Sequence, residues 1–184
     1  MKTLAVTGYK SMELNIFNEN DKRIEFIKYA IKQRLIDFLE EGLEWVLTSG
    51  QMGIEMWTAE VVLDLKDTYD IQLGVIPPFE NFTSRWPETL HQKYELLTLE
   101  ADFFKPLYKG DYRGPFQFRV RDQWLVEKND ASLIFMDPDY PGSTVYYHSV
   151  AEKYDNHPIY YITPLDLQDA FDSMQMIDEP DYYN

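Results

Sequence analysis

The sequence predicts an α/β protein with a doubly wound, mostly parallel sheet and helices on both faces. Short, continuously apolar runs typical of buried strands alternate along the chain with segments of helical periodicity. Such alternation implies parallel strands joined by right-handed crossovers. Ligands in open sheets of this kind bind at the carboxyl ends of the strands, where the strand order reverses. The loops that follow the strands are therefore the places to look for a site.

The first half of the chain supplies three strands and two helices. The first strand is an apolar run that ends at Gly8, and the first helix has apolar residues at helical spacing. Asn20 or Asp21 can cap the start of that helix, and Gly42 follows its end, where a left-handed residue is expected. The predicted elements are strand 4–7, helix 22–41, strand 44–48, helix 54–68 and strand 72–76.

The second half continues the alternation, with Pro87 at the first position of its first helix. Residues 105–115 contain two glycines and two prolines and form a long loop, which leaves open whether they act as a lid. The aromatic residues Phe79, Phe82 and Trp86 belong to the core or a lid, or else one stacks on a base. The predicted elements are helix 87–100, strand 102–104, helix 117–128, strand 131–136, helix 144–153, strand 158–162 and helix 166–174.

Length and composition indicate one domain over residues 1–177, followed by an acidic, frayed end at 178–184. Apolar residues make up 45% of the chain, yet none of the runs approaches the roughly 20 residues of a membrane span. The start of the chain does not resemble a signal peptide, and there are no cysteines. We therefore expect a cytoplasmic protein that does not insert into membranes.

The net charge of −15 argues against nucleic acid as the main partner, because an acidic surface repels the phosphate backbone. The charge is uneven, however: residues 105–121 contain five cations and one anion. One interpretation is a basic surface loop that pairs with acidic neighbours. The other is a site for a small anion.

Residues 43–55 contain the most informative pattern, a strand followed by a glycine turn and a helix. Gly50 and Gly53 would let the backbone approach an anion, and the helix N-terminus offers free N–H donors. Ser49 and Gln51 lie in the same turn. Glu55, in the first helical turn, would repel a phosphate, so it is expected to contact a sugar hydroxyl or a base amine.

The turn at residues 141–144 is a second candidate anion cradle, because it follows the most apolar strand and opens a helix. Gly142, Ser143 and Thr144 would offer N–H and O–H donors, although Ser143 would serve equally well as a simple N-cap. Arg119 and Arg121 lie nearby in the predicted fold. Since alternate helical positions do not share a face, one is expected to contact the ligand while the other pairs with an acid; surface ion pairs for both remain the alternative.

Other kinds of site find little support. His91, His148 and His157 are scattered without metal-ligand spacing, so no metal site is predicted and the three are interpreted as surface or packing residues. There is no Ser-His-Asp arrangement, nucleophile elbow or Walker element.

Four segments together resemble the YpsA-like proteins of the SLOG superfamily, which also includes the DNA-processing protein A and LOG (lysine decarboxylase-like) branches. The segments are Thr7-Gly8-Tyr9-Lys10, residues 49–55, residues 118–123, and Gly142-Ser143-Thr144 followed by residues 151–153. The resemblance implies a Rossmann-like fold and a ligand derived from a nucleotide, such as ADP-ribose or a relative of NAD. The resemblance also suggests a link to bacterial cell division. Gly8 and Lys10, in the loop after the first strand, belong to the candidate site because ligands bind at the carboxyl ends of the strands.

The chain also departs from the related branches. The LOG phosphoribohydrolases carry Pro-Gly-Gly-x-Gly-Thr-x-x-Glu, whereas the turn here lacks the second glycine and the matching glutamate. The arginine-asparagine-arginine element of the DNA-processing branch is Arg119-Val120-Arg121 here. These departures argue against carrying over N-glycosidic hydrolysis or DNA binding.

The leading hypothesis is a cytoplasmic sensor or regulator that binds a nucleotide-derived ligand. The sequence does not identify a cofactor. One alternative is a hydrolase that cleaves an N-glycosidic or phosphate bond with Glu55 as the acid–base residue. The other is a protein-interaction module that docks a division or envelope-synthesis partner through its acidic end and aromatic-rich surface. The sequence does not determine the oligomeric state.

Overall fold

The computed structural model describes residues 1–178, which form one six-stranded sheet in the order β4-β3-β2-β1-β5-β6. All five strand pairings are parallel. The strands are β1 (Thr3–Gly8), β2 (Trp45–Thr48), β3 (Gln72–Val75), β4 (Phe103–Phe104), β5 (Ala131–Phe135) and β6 (Ile159–Ile162). The helices are α1 (Arg23–Glu40), α2 (Ile54–Leu65), α3 (Glu88–Glu100), α4 (Phe116–Lys128), α5 (Thr144–Ala151) and α6 (Pro164–Asp178).

Helices cover both faces of the sheet because successive residues of each strand point to opposite sides. In β1, Leu4 and Val6 pack in a core that includes apolar residues of α1 and α2. Ala5, between them, packs in a second core with Leu125 of α4 and Tyr147 of α5. The predicted doubly wound α/β fold is therefore confirmed.

The elements follow the predicted order, with shifts at their ends. Helix α6 begins at Pro164 and extends to Asp178, longer at both ends than predicted, while α5 ends at Ala151. A short 3-10 helix at Ser11–Leu14, which has no apolar periodicity, was not predicted. Except for Asp178, the predicted acidic end lies outside the described residues.

The loop of residues 105–115 is held against the body of the protein. The N–H groups of Glu80 and Asn81 donate to the carbonyls of Tyr108 and Gly110 at 2.8 and 3.0 Å. The fully buried Gln117 accepts a hydrogen bond from the Arg113 N–H at 2.7 Å. These hydrogen bonds attach the loop to residues 80–81 and to the start of helix α4.

Strand β1 pairs with β2 on one side and β5 on the other, and the strand order reverses between β1 and β5. The carboxyl ends of these strands open onto the starts of α2, α4 and α5. This is the position at which open parallel sheets bind ligands.

Candidate functional site

A cavity of about 360 Å³ lies at this reversal point. Its walls come from the end of β1, the turn before α2, the start of α4 and the first turn of α5. The lining residues are Thr7, Gly8, Lys10, Gln51, Glu55, Pro115, Phe118, Arg119, Arg121, Asp122, Ser143, Thr144, Tyr146 and Tyr147.

The cavity brings together most of the residues that the sequence predicted as ligand contacts. Those that line it are Gly8, Lys10, Gln51, Glu55, Arg119, Arg121, Ser143 and Thr144. Four other predicted residues, Ser49, Gly50, Gly53 and Gly142, are not among the residues that line it. Of these four, Ser49 still contacts the site, because its hydroxyl hydrogen-bonds to the lining residues Glu55 and Arg121.

The first predicted cradle already contains an anion, the carboxylate of Glu55. One oxygen accepts hydrogen bonds from the Ser49 N–H at 3.0 Å, the Ser49 hydroxyl at 2.5 Å and the Thr48 hydroxyl at 3.0 Å. The other oxygen accepts one from the Thr7 hydroxyl at 3.3 Å. Because the side chain is buried, these bonds fix its position at the edge of the cavity.

The two glycines of this turn are needed for packing against the protein itself. Gly53 has a φ of +106°, and a Cβ there would lie 2.5 Å from the Ser11 nitrogen and 2.6 Å from the Tyr9 oxygen. Gly50 has a φ of +77° and lies against the ring of Tyr94. Their left-handed conformation and close approach explain why this turn requires glycine.

The second predicted cradle is also filled by a carboxylate of the chain, that of Glu13 in the 3-10 helix. Its oxygens accept hydrogen bonds from the Ser143 N–H at 2.8 Å and the Ser143 hydroxyl at 2.5 Å. Burial acts to raise the pKa of Glu13, but the hydrogen bonds from Ser143 and Lys10 hold the pKa below its ordinary value. Gly142 faces away from the cavity and borders a separate hollow of about 530 Å³ beside Tyr9.

Arg121 is the arginine that pairs with acids, as the alternation on helix α4 predicted for one of the two. Its Nε and one terminal nitrogen donate to Asp122 Oδ1 at 3.0 and 2.9 Å, and the other terminal nitrogen donates to the Ser49 hydroxyl at 3.2 Å. Burial raises the pKa of Asp122 above its ordinary value, against the opposing effect of Arg121, and the charge of Glu55 adds to the increase. The positive charge of Arg121 is therefore shared between two buried carboxyl groups.

Arg119 and Lys10 are the cations whose charge faces the cavity opening. Arg119 is exposed, and within residues 1–178 neither side chain takes part in an ion pair. Two aromatic rings, Phe118 and the largely exposed Tyr146, lie on the same walls. The cavity thus combines two cations, Arg119 and Lys10, with aromatic side chains, although the charge of Lys10 also acts on Glu13.

Seven residues of the site were not predicted: six line the cavity, namely Thr7, Pro115, Phe118, Asp122, Tyr146 and Tyr147, and Glu13 occupies the second cradle. Asp122 follows Arg121 directly, and Tyr147 lies one helical turn after Thr144, so helical spacing could have indicated Tyr147. Glu13 had no local signal, because it lies 130 positions from Ser143 in the sequence. The aromatic residues Phe79 and Phe82 are buried in the core rather than in the cavity.

The described residues show neither a membrane span nor a metal centre. None of the helices within residues 1–178 is long and apolar enough to cross a bilayer. In the same part of the chain, three or more histidine, aspartate or glutamate side chains nowhere come together in a position to hold a metal ion.

Comparisons with known proteins agree with this architecture. The model of the YspA SLOG family matches residues 4–170. A UPF0398 protein of Oceanobacillus iheyensis is 56% identical over the full length of both chains. The UPF0398 protein YpsA of Bacillus subtilis is 45% identical over 91% of this chain and 96% of its own.

Among solved structures, DNA processing protein A from Helicobacter pylori aligns with a TM-score of 0.56 at 14% identity. The alignment covers 95% of this chain and 73% of that protein, which is described as binding single-stranded DNA. At this level of identity the likeness concerns the fold.

Proposed function

The chain belongs to the YspA SLOG family, and we propose that it binds a nucleotide or a nucleotide derivative in the cavity at the strand reversal. ADP-ribose and relatives of NAD are the ligands of the right chemistry. The observation that carries the proposal is that two cations outside ion pairs and two aromatic rings line one cavity, in a chain of net charge −15.

Recognition of phosphate would depend on side chains in this proposal. In both predicted cradles main-chain donors are already occupied: Glu55 accepts the Ser49 N–H and Glu13 the Ser143 N–H. At the start of α2, the Ile54 N–H donates to the Tyr9 carbonyl. Arg121 is neutralised by Asp122. The remaining charges, on Lys10 and Arg119, suit an anionic group at the cavity opening.

The rest of the ligand has matching surfaces. Tyr146, which is 71% exposed, offers a flat face to a base, and Phe118, whose ring also packs against Arg121 and Phe79, adds apolar surface. The polar cluster behind them, formed by Gln51, Glu55 and Tyr147, can hydrogen-bond to sugar hydroxyls or base amines. A volume of about 360 Å³ is in the range of small-molecule sites.

Replacing Arg119 by alanine tests the proposal. The variant should bind ADP-ribose at least about tenfold more weakly, because a charge-assisted hydrogen bond to phosphate contributes roughly 1.5–3 kcal/mol. Isothermal titration calorimetry measures the change. The matched control is Lys128→Ala, which removes a cation from the far end of the same helix and should leave affinity unchanged. Equal losses in the two variants would contradict the assignment of Arg119.

We further propose that the bound nucleotide derivative acts as a signal and that the protein is a cytoplasmic regulator with a cell-division partner. The support is the resemblance to the YpsA-like proteins. Capture of division proteins from a lysate, with and without ADP-ribose, tests this role. Capture that does not depend on ADP-ribose would argue against a sensor.

One observation favours a second function, hydrolysis of an N-glycosidic or phosphate bond. Glu55 and Asp122 both line the cavity, and burial raises the pKa of Asp122, as general acids require. Chromatography of ADP-ribose, NAD and AMP after incubation would reveal turnover, and activity should vanish in Glu55→Gln. Intact compounds after long incubation would exclude this function for them.

A further inference from the structure

A chain of three hydrogen-bonded side chains connects the cavity to the opposite end of the sheet. The Tyr147 hydroxyl lies 2.6 Å from Ser132 Oγ, and Ser132 Oγ lies 2.7 Å from His157 Nε2. Ser132 is fully buried near the start of β5, and Tyr147 is a buried residue of α5 that lines the cavity. His157 lies in the turn before β6, where it is partly exposed.

The Ser132 hydroxyl can donate one hydrogen bond and accept two, and within residues 1–178 its only partners are Tyr147 and His157. The chain therefore has two directions in which the Ser132 proton is hydrogen-bonded. When His157 Nε2 carries no proton, Ser132 donates to it and Tyr147 donates to Ser132. The lone pairs of the Tyr147 oxygen are then available to the cavity. When Nε2 is protonated, all donors reverse, and the Tyr147 O–H points away from Ser132.

The surroundings of His157 favour the first direction at neutral pH. Burial lowers the pKa of His157, against a hydrogen bond to the Asn129 carbonyl and the charge of Asp130, which raise it. Since Nε2 faces Ser132, the Asn129 main chain acts on the Nδ1 side, which favours the neutral tautomer with its proton there. Protonation adds the second ring proton at Nε2.

We propose that Tyr147 is the hydrogen-bonding group of the cavity floor and that His157, acting through Ser132, decides whether it accepts or donates. At neutral pH the floor would accept from a ligand donor such as a sugar hydroxyl or an exocyclic amine. Below the pKa of His157 it would donate instead. The proposal rests on the proposed function only in taking the cavity as the ligand site.

Other titratable groups near the chain have to be separated from His157. Asp122, Glu55 and Arg121 act on Tyr147 from the cavity side. Asp130 faces His157 from the turn before β5, and the main-chain oxygen of Tyr154 accepts the His157 N–H. Titration of Asp122 could produce a similar pH-dependent change at Tyr147, because burial raises the pKa of Asp122.

Nuclear magnetic resonance tests the coupling without a ligand. Protein labelled with ¹³C at tyrosine Cζ is titrated from about pH 5 to 8, which brackets the usual histidine range. The Tyr147 resonance, assigned by its loss in Tyr147→Phe, should shift with the midpoint of His157 titration. Ser132→Ala and His157→Gln should each abolish that shift.

Two controls make the result specific. His148 lies next to Tyr147 in α5 and hydrogen-bonds to Tyr161. The variant His148→Gln should leave the Tyr147 shift intact. Asp122→Asn should also preserve it. A Tyr147 resonance that stays constant through the His157 titration, or a shift that survives in His157→Gln, would overturn the proposal.

ADP-ribose provides the functional readout. Tyr147→Phe should weaken its binding about threefold to tenfold at pH 7.5, the loss expected for one hydrogen bond. In His157→Gln, the part of the pH dependence of ADP-ribose affinity between pH 7.5 and 5.5 that is due to His157 should be lost. If ADP-ribose fails to bind the wild-type protein, the proposed ligand class is wrong, whereas the resonance titration still decides the coupling between His157 and Tyr147.

Discussion

At the level of single residues, two carboxylates define what the site can do. Glu55 and Glu13 each accept several hydrogen bonds in turns that the sequence predicted as phosphate cradles. A phosphate there would have to displace a carboxylate of the protein and leave it with lost hydrogen bonds. We therefore assign anion recognition to the side chains of Arg119 and Lys10.

Gly53 shows how a glycine of this turn supports the site without lining the cavity. A Cβ at Gly53 would meet the main chain of Tyr9, Lys10 and Ser11, which has little freedom to move. Any substitution there displaces the segment that carries Lys10 to the cavity wall. Loss of binding in a Gly53 variant would therefore report this displacement as well as any direct contact.

Replacing Gly53 by alanine should lower the free energy of unfolding by at least about 2 kcal/mol, since overpacking adds to the strain of the positive φ. Gly42→Ala is the matched control, because its φ of +104° is similar but nothing lies within 4 Å of its Cβ. That variant should lose only about 1 kcal/mol. Urea denaturation measures both, and equal losses would show that the main-chain contact is unimportant.

At the level of elements, the cavity wall depends on how α4 holds the loop before it. Gln117, in the first turn of α4, accepts a hydrogen bond from Arg113 and donates one to the Asp111 carbonyl at 3.4 Å. Asn81 donates to the Asp111 carboxylate at 2.7 Å from the other side. Pro115 at the end of this loop lines the cavity, so the loop position shapes the site.

Gln117→Ala should release this loop. The variant loses two partly buried hydrogen bonds, so we expect about 1–3 kcal/mol of destabilisation and faster amide exchange across residues 105–115. Gln123→Ala, an exposed position of the same helix, is the control and should change neither quantity. Exchange measured by mass spectrometry that stays slow in Gln117→Ala would mean that other contacts hold the loop.

At the level of the whole molecule, the excess of acidic residues shapes stability. The chain has 32 acidic and 17 basic residues, and several ion pairs, such as Lys2–Glu44, lie on the exposed surface. Exposed pairs of this kind contribute little. Repulsion among the unpaired carboxylates should therefore dominate the electrostatic contribution at neutral pH.

Salt should consequently stabilise the protein. Between about 10 and 150 mM NaCl the Debye length falls from about 30 to 8 Å, which screens the repulsion. We expect the Tm at pH 7.5 to rise by about 2–4 °C, the shift that roughly 1 kcal/mol produces at this size. KCl should act equally if screening is the cause. A Tm that falls with salt would show that the ion pairs outweigh the repulsion.

The sequence by itself determined the order of strands and helices, the two covered faces of the sheet and the loops that meet at its carboxyl edge. These features follow from local patterns: apolar runs, helical spacing, and glycine or proline at the ends of elements. The same patterns identified eight of the residues that line the cavity.

Only the tertiary structure decided which hydrogen-bond donors remain free for a ligand. Glu13 hydrogen-bonds to Ser143, 130 positions away in the sequence. His157 is connected to Tyr147 through the buried Ser132 of β5. Such contacts join segments that are distant in the sequence, and no local spacing encodes them. Folding therefore filled both predicted cradles with carboxylates of the protein and left Lys10, Arg119 and Tyr147 to face the cavity.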